Sequence, residues 1–331
     1  MTCYLIVSID CECDKGAKWR SQRPLAFTGV TDGIARRLQP LFARYGAKPT
    51  YLLSAEVMRD PASAETLARL EGSHELGAHL HGEYADPGAF EPEVTSAFQR
   101  DYPPDVEAAK LRYLTDLFSR TFGRRPTSFR AGRFGIGPHS IPILEELDYL
   151  VESSVTPHMD WAPNGAPGLA FLSAPTQPYH PDRRDAGRPG ESPLLEVPVT
   201  IRPHRFAPLP FIGRRVEPRW LRPTRTSAQA LANLAREEMA AARAVDAERP
   251  IVLNAMFHNV EIIPDASPYA KNEREAHAIL TRLEGLLAFA RGEGISVVGL
   301  SDAAEIFSNW PGAPVQGPSA TPGRAPARGA S

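Results

Sequence analysis

The sequence predicts an α/β protein that folds as a distorted (β/α) barrel of about seven strands with a long proline-rich insertion. Two observations lead to this prediction: short apolar runs alternate with helical apolar patterns along most of the chain, and the prolines are unevenly distributed. A barrel of about 250 residues with additions accounts for the length of 331 residues. Alternating strands and helices are typical of a parallel sheet, and their number here favours a closed or nearly closed barrel over an open sheet.

The predicted elements follow one another in a regular order. The first strand is Tyr4 to Ile9, and a helix follows over Asp32 to Tyr45, where apolar residues recur at helical spacing until Gly46 ends it. The later strands are predicted at 49–53, 75–81, near 128, and at 149–155, 194–200, 251–258 and 295–300. The later helices are predicted at 62–70, 106–122, 141–147, 227–244 and 273–291.

Proline marks two segments that depart from this alternation. Of the 33 prolines, 14 lie between residues 156 and 225 and five lie after residue 310. We therefore predict one barrel domain over residues 1–310, interrupted by a proline- and arginine-rich insertion at 156–225, and a disordered tail over 311–331 that has almost nothing to bury. Long insertions in compact domains commonly carry function.

Composition excludes several classes of protein. The net charge of −2 argues against a chain-wide affinity for nucleic acid or membranes, and there is neither a nucleic-acid-binding motif nor a run of 18 apolar residues. The first residues lack the basic and apolar regions of a signal peptide, so we expect a cytoplasmic protein. The cysteines Cys3, Cys11 and Cys13 are clustered, with the last two too close for a useful disulfide, which agrees with a reducing compartment.

The first candidate functional motif is the acidic pair Asp10 and Glu12, at the end of the first strand. Alternate residues of a strand face the same side, so the two carboxylates project together, whereas Cys11 and Cys13 point away and are left out of a metal site. In α/β barrels the active site lies at the carboxyl ends of the strands, where a cation or a proton transfer can offset carboxylate repulsion. The alternative is a helix-capping cluster on a solvated loop.

The second motif is the pair His79 and His81, at the end of the third strand. In an extended segment this two-residue spacing points both imidazoles into the same space, as metal ligation requires. Such a pair on its own is more often a surface feature. Its coincidence with an acidic pair at another strand end favours a metal site.

The third and fourth motifs also follow strands. Arg130 and Arg133 lie in a glycine-rich turn, where an arginine can hold a neighbouring carboxylate ionised and oriented, although the turn alone would suit a phosphate site or a surface loop. His258 ends an apolar strand, where a histidine is more often part of the core than a catalyst.

These four clusters, in this order, resemble the motifs of the NodB-type polysaccharide deacetylases, carbohydrate esterase family 4. The resemblance extends over most of residues 1–305, including the step from helix to second strand at Tyr45 to Tyr51. It does not cover the insertion well, nor the tail. It implies a NodB-type barrel and a hydrolase that removes acetyl groups.

The resemblance also implies a divalent metal ion, and zinc is favoured because nitrogen ligands dominate. Glu12 fits an acid-x-acid version of the first motif and becomes a ligand, together with His79. The third ligand is His81 if the strand stays extended there, and Glu83 if the chain enters a helical turn.

The remaining roles follow from the same resemblance. Asp10 is the expected catalytic base, His258 the catalytic acid, and Arg130 the arginine that orients the base. The expected substrate-binding residues are Arg133, Phe134 and Trp161, of which Trp161 lies inside the insertion and corresponds only loosely to the tryptophan motif of the family.

The function expected from these residues is metal-dependent removal of N-acetyl groups from a sugar or glycan. Two alternatives remain open: hydrolysis of a small non-sugar amide by the same fold, and a glycan-binding protein without catalysis. The segment from Arg202 to Arg225 adds seven arginines against the single acid Glu217. They either lie solvated and cap neighbouring helices or meet a phosphate-linked or otherwise anionic substrate. The oligomeric state, including a homo-oligomer, stays open.

Overall fold

Parallel strands form the centre of the fold. The structure is a computed structural model that describes residues 2–89, 98–204 and 217–310. Eight of the strands in these ranges belong to one sheet, and two form a separate antiparallel pair. The strands are β1 (Cys3–Cys11), β2 (Thr50–Leu53), β3 (Glu75–Leu80), β4 (Ser128–Ala131), β5 (Val151–Glu152), β6 (Leu195–Glu196), β7 (Ile201–Arg202), β8 (Arg219–Trp220), β9 (Ile251–His258) and β10 (Ser296–Val298), with β7 paired to β8.

Helices connect these strands. A π-helix over Gly29–Leu38 continues directly into α1 (Gln39–Tyr45), which ends at Gly46 with a φ of 62° that suits glycine. The others are α2 (Ala55–Arg59), α3 (Pro61–Ala68), α4 (Pro104–Phe122), α5 (Ser140–Glu146), α6 (Ala228–Val245), α7 (Glu273–Gly292) and α8 (Leu300–Ser308). None of the helices in the described ranges combines the length and apolar character that a membrane-spanning helix needs.

The main sheet curls into a nearly closed barrel. Its strands pair in parallel in the order β9, β1, β2, β3, β4, β5, β6, and β10 pairs with the first half of β1. Beyond β6 the chain reaches the far edge of β9, where the backbone N–H of Thr200 donates to the carbonyl of Asn254 at 2.9 Å. The predicted distorted (β/α) barrel is therefore confirmed.

The alternation of side chains along β1 separates two layers of core. Leu5 and Val7 face the helices, whereas Ile6 lies inside the barrel with Leu52 and Val252, and all five are buried. The inner cluster also contains Leu300 and Phe307 of α8, so this helix closes the end of the barrel at which the strands begin. The opposite end, where the strands finish, is left for polar side chains.

Several elements differ from the sequence-based prediction. Helices α2 and α8 were not predicted, since α2 has only five residues and α8 begins directly after the last strand. Strands β5 and β6 have two residues each instead of the seven expected, because side chains interrupt their ladder: the N–H of Val155 donates to the Glu196 carboxylate at 3.1 Å. The predicted tail, 311–331, lies outside the described residues, as do residues 205–216 of the predicted insertion.

Candidate active site

The candidate residues surround one cavity at the carboxyl ends of the strands. The cavity has a volume of about 1330 Å³, and its lining includes all five residues of the acidic and histidine motifs: Asp10, Glu12, His79, His81 and His258. Strand register explains much of this convergence, because Asp10 lies opposite His258 across β1 and β9, and His79 lies opposite Arg130 across β3 and β4.

Glu12, His79 and His81 form a compact group that could hold a metal ion. One ligand atom from each lies within 4.8 Å of the other two, and all three side chains are buried. Glu12 Oε1 is 2.9 Å from His81 Nε2 and 3.4 Å from His79 Nε2. His79 Nδ1 lies 3.0 Å from the Arg130 carbonyl, which can only accept, so Nδ1 carries the proton and Nε2 keeps its lone pair for a metal ion.

Backbone geometry places His81, rather than Glu83, beside Glu12 and His79. His81 keeps extended dihedral angles (φ −99°, ψ 106°), and the chain enters a short 3₁₀ turn only at Gly82. The Glu83 carboxylate instead contacts the far side of the His81 ring, with Oε1 3.3 Å from Nδ1, and forms an ion pair with Arg133 at 2.6 Å. Burial would raise the pKa of Glu83, but His81 and Arg133 outweigh it and hold the pKa well below its ordinary value.

Asp10 lies beside this group and is held by Arg130, which is fully buried. The Arg130 Nη1 donates to Asp10 Oδ1 at 2.7 Å, and the rest of the guanidinium donates to Ser8 Oγ and to the carbonyl and hydroxyl of Ser153. Burial would raise the pKa of Asp10, but the charges of Arg130, His79 and His258 outweigh it and leave the pKa lowered. The carboxylate is therefore ionised near neutral pH.

His258 lies next to Asp10, on the neighbouring strand β9, and also lines the cavity. Its Nε2 lies 3.8 Å from Asp10 Oδ2 and 3.8 Å from Glu12 Oε1, while its Nδ1 lies 2.8 Å from Glu261 Oε1. Burial would raise the pKa of Glu261, but Arg222 and His258 lower it to about 2. The Glu261 carboxylate is therefore ionised near neutral pH and accepts a hydrogen bond from the Nδ1–H of His258. This hydrogen bond directs Nε2 into the cavity.

Sequence reasoning missed Glu261 and two further residues of the site, Lys15 and Asn259. Lys15 is buried, lines the cavity and places Nζ 2.8 Å from Glu12 Oε2. Asn259 holds the backbone of Glu12 with two hydrogen bonds of 3.0 and 3.1 Å. The three-residue spacing of His258 and Glu261 was a usable signal. Lys15 and Asn259 follow strand ends without a recognisable pattern.

An aromatic wall lies on one side of the cavity. The ring centroids of Phe134 and Trp161 are 5.5 Å apart in a stacked arrangement, and Trp220 packs 5.7 Å from Phe134. The structure thus brings together Phe134 and Trp161, which the sequence analysis named, and adds Trp220, which it did not. Cys11 and Cys13 lie outside the Glu12 group, and burial raises the pKa of the Cys13 thiol to about 12.

The arginine-rich segment is partly neutralised within the fold. Arg205, Arg214 and Arg215 lie outside the described residues. Among the described arginines, three form ion pairs with glutamates: Arg202 with Glu238 at 3.1 Å, Arg219 with Glu237 at 2.6 Å, and Arg222 with Glu261. Arg225 differs, since its guanidinium lies over the Tyr269 ring at 5.4 Å.

Comparison with known proteins relates the chain to solved structures only. No protein-family model and no curated protein sequence matches it. A protein from Mycobacterium smegmatis assigned to the polysaccharide deacetylases is 18% identical with a TM-score of 0.52, over 92% of this chain and 89% of that one. An allantoinase is 15% identical with a TM-score of 0.51, over 92% and 89%.

A glycoside hydrolase family 57 branching enzyme from Pyrococcus horikoshii has the same general architecture. It is 10% identical with a TM-score of 0.53, over 91% of this chain and 70% of that one. The chain therefore has the fold of the polysaccharide deacetylases, as its motifs predicted. Because one fold supports different reactions, the function has to be argued from the site.

Proposed function

We propose that the chain is a metal-dependent amide hydrolase that removes N-acetyl groups from a sugar or glycan. The observation that carries this proposal is the convergence of a buried Glu12, His79 and His81 group with an Arg130-bound Asp10 in one cavity. The resemblance of the motifs to the NodB-type deacetylases and the matching fold support it.

The donor atoms suit zinc. One carboxylate oxygen and two imidazole nitrogens are a common catalytic zinc set, in which further positions remain for water and substrate. Glu12, His79 and His81 would hold the ion, which supplies Lewis acidity toward water and the amide carbonyl. The same set accepts other divalent metals, so zinc rests on its preference for nitrogen ligands.

Asp10 is the proposed catalytic base. Arg130 occupies Oδ1, so Oδ2 is the oxygen turned toward His79 and His258 and therefore toward the centre of the site. The ionised carboxylate can take a proton from water at that oxygen. Arg130 keeps the carboxylate oriented and anionic before the proton arrives.

His258 is the proposed catalytic acid. Its Nε2 faces the cavity, and in the protonated ring this nitrogen can give a proton to the amine that leaves. Glu261, held against Nδ1 at 2.8 Å, stabilises the cationic ring and fixes its orientation. Asp10 and His258 thus lie next to each other at the carboxyl ends of β1 and β9, where one can take a proton from water and the other can give a proton to the amine.

The cavity favours a sugar substrate. Phe134, Trp161 and Trp220 offer flat apolar surfaces that suit the apolar face of a pyranose ring. The cavity of about 1330 Å³ exceeds the 300–1000 Å³ common for small-molecule sites, which favours a glycan over a small cyclic amide.

Acetate release tests the proposal. The purified, zinc-loaded full chain is incubated with N-acetylglucosamine oligomers and, separately, with cyclic amides, and acetate and ring-opened products are measured. We expect acetate from the oligomers. Ring-opened product without any acetate would instead assign a small-amide hydrolase, and protein that binds no metal and releases neither product would assign a non-catalytic glycan-binding protein.

A separate prediction concerns Glu83. We expect Glu83→Gln to weaken metal binding by about 10- to 100-fold, because the carboxylate that orients His81 through Nδ1 is lost while the ligands themselves remain. Zinc affinity is measured by competition with a chelator. Glu65→Gln, the same change on the exposed surface of α3, is the control. Equal zinc affinity of the two variants would contradict the role assigned to Glu83.

A further inference from the structure

The wall of the cavity carries more cations than the fold neutralises. Four of its basic residues pair with glutamates: Lys15 with Glu12 at 2.8 Å, Arg133 with Glu83 at 2.6 Å, Arg219 with Glu237 at 2.6 Å, and Arg222 with Glu261. Arg20 and Arg225 also line the cavity and are exposed, but within the described ranges neither forms an ion pair. In the described part of the chain, seven lysines and arginines line the cavity against four acids, Asp10, Glu12, Glu83 and Glu217, so a positive surplus is left there.

These two arginines belong to the wall that leads from His258. Trp19, which directly precedes Arg20, packs its ring 4.9 Å from the His258 ring. The Tyr269 ring lies 5.4 Å from Trp19, and the Arg225 guanidinium lies 5.4 Å from Tyr269. A chain of three ring contacts therefore connects the proposed catalytic acid to Arg225. A substrate held at His258 can extend along this wall.

The contrast with neighbouring arginines indicates a ligand. Arg202, Arg219 and Arg222 come from the same segment as Arg225, and the fold supplies each of them with a glutamate. A cation left without an acid beside a cavity raises the local concentration of anions and is available to pair with one. Guanidinium groups suit phosphate and carboxylate oxygens in particular, since their planar donors match two oxygens at once.

We propose that the substrate is an anionic glycan whose phosphate or carboxylate group binds Arg20 and Arg225. That this glycan is also deacetylated rests on the proposed function. Binding of its anionic group does not depend on the proposed function, because it needs only the two arginines and the cavity.

Binding of matched sugars tests the proposal. Affinities of N-acetylglucosamine, N-acetylglucosamine 1-phosphate and N-acetylmuramic acid are measured by calorimetry on the full chain carrying Asp10→Asn, and on the same chain with Arg20→Gln and Arg225→Gln added. We expect at least one anionic sugar to bind about tenfold more tightly than the neutral sugar, and this preference to vanish in the variant. Whether the phosphate or the carboxylate is preferred identifies the anionic group.

A control variant with the same change in net charge separates anion binding at the cavity wall from the effect of the protein's overall charge. Arg112→Gln with Arg120→Gln removes the same charge from the exposed face of α4, which does not line the cavity, and should leave the preference intact. Equal binding of all three sugars, no binding of any, or a preference that survives Arg20→Gln with Arg225→Gln would overturn the proposal. Acetate release from neutral oligomers is a separate result. It tests the proposed hydrolase independently of the anion site, and sugar binding tests the anion site independently of the hydrolase.

A second inference concerns Lys15, which the mechanism does not use. Its side chain is 7% exposed, and Nζ contacts Glu12 Oε2 at 2.8 Å while Oε1 of the same carboxylate faces the two histidines. Nζ also lies 3.7 Å from Cys13 Sγ and 5.4 Å from the centre of the Tyr84 ring, which hold the ammonium in place. The two oxygens of Glu12 are therefore divided between the histidine side and Lys15.

The geometry points to Lys15 as a positioning residue that makes Glu12 a one-oxygen ligand. With Oε2 engaged by Lys15, Glu12 would have only Oε1 to offer a metal ion held together with His79 and His81, and more of the ion's positions would stay open for water and substrate. The ammonium also opposes a second positive charge nearby. Lys15 therefore weakens metal binding but leaves coordination positions on the metal ion open for water and substrate.

Zinc affinity tests this role, because the inference predicts that affinity rises when Lys15 is removed. We expect Lys15→Met to bind zinc at least about tenfold more tightly than the unchanged chain in competition with a chelator, because repulsion is removed and Oε2 is released. Lys15→Arg, which keeps the charge, should remain near the unchanged value. A residue that merely supported the fold would lower zinc affinity when removed, so unchanged or weaker binding by Lys15→Met and by a second variant, Lys15→Gln, would overturn the inference.

Discussion

Replacing Asp10 with asparagine is expected to reduce acetate release by about 10²- to 10⁴-fold, the usual contribution of a general base, while zinc stays bound. Asparagine has the same shape and can still accept a hydrogen bond from Arg130 through its amide oxygen, so the site keeps its geometry. It cannot take a proton from water. The measurement is kcat/KM for acetate release together with metal content of the purified protein.

Asp116→Asn is the matched control, since it makes the same chemical change on the exposed surface of α4. We expect it to match the unchanged chain in both measurements. Full activity of Asp10→Asn would remove Asp10 from the role of base. Loss of zinc along with activity would show that Asp10 supports the metal group instead.

Replacing His79 or His81 with alanine is expected to abolish zinc binding and, with it, acetate release. Each change removes one of three buried donor atoms, and the remaining two cannot hold a catalytic ion at ordinary zinc concentrations. Metal content and acetate release are measured after dialysis against a chelator and again after zinc is added. The unchanged chain should lose activity with its metal and regain it on reloading.

His277→Ala is the control, because this histidine is exposed on α7, away from the cavity lining. It should behave as the unchanged chain does. An alanine variant at His79 or His81 that keeps about one zinc ion per chain would exclude that histidine from the ligand set. Activity of the unchanged chain that persists without metal would contradict the proposed mechanism as a whole.

Local periodicity explains how much of the site could be predicted from the sequence. Period-two alternation at the ends of β1 and β3 places Asp10 with Glu12 and His79 with His81 on one side of each strand. Parallel strands end at a common edge, so the polar clusters were expected to meet there. The order of the motifs then indicated the deacetylase fold, which the solved structures match.

Other contacts in the site depend on the curvature of the sheet and on the paths of the loops, which the sequence patterns do not describe. Arg130 lies on β4, which is separated from β1 by two strands, and only the curl of the sheet brings its guanidinium 2.7 Å from Asp10. The choice between His81 and Glu83 depended on where the extended backbone ends, a matter of one residue. Local patterns do not carry such information, because they describe neighbours along the chain.

The sequence by itself determined the alternation of strands and helices, the four polar clusters and the strand ends from which they project, since strand and helix periodicity are local properties of the chain. Only the tertiary structure decided which charges meet. It set Lys15 against Glu12 and placed Glu261 behind His258. It also paired Arg202, Arg219 and Arg222 with glutamates while leaving Arg225 at the cavity wall. The physical reason is that an ion pair depends on distances of a few ångströms between residues far apart in sequence, and those distances exist only once the sheet has curled and the connecting loops have packed against it.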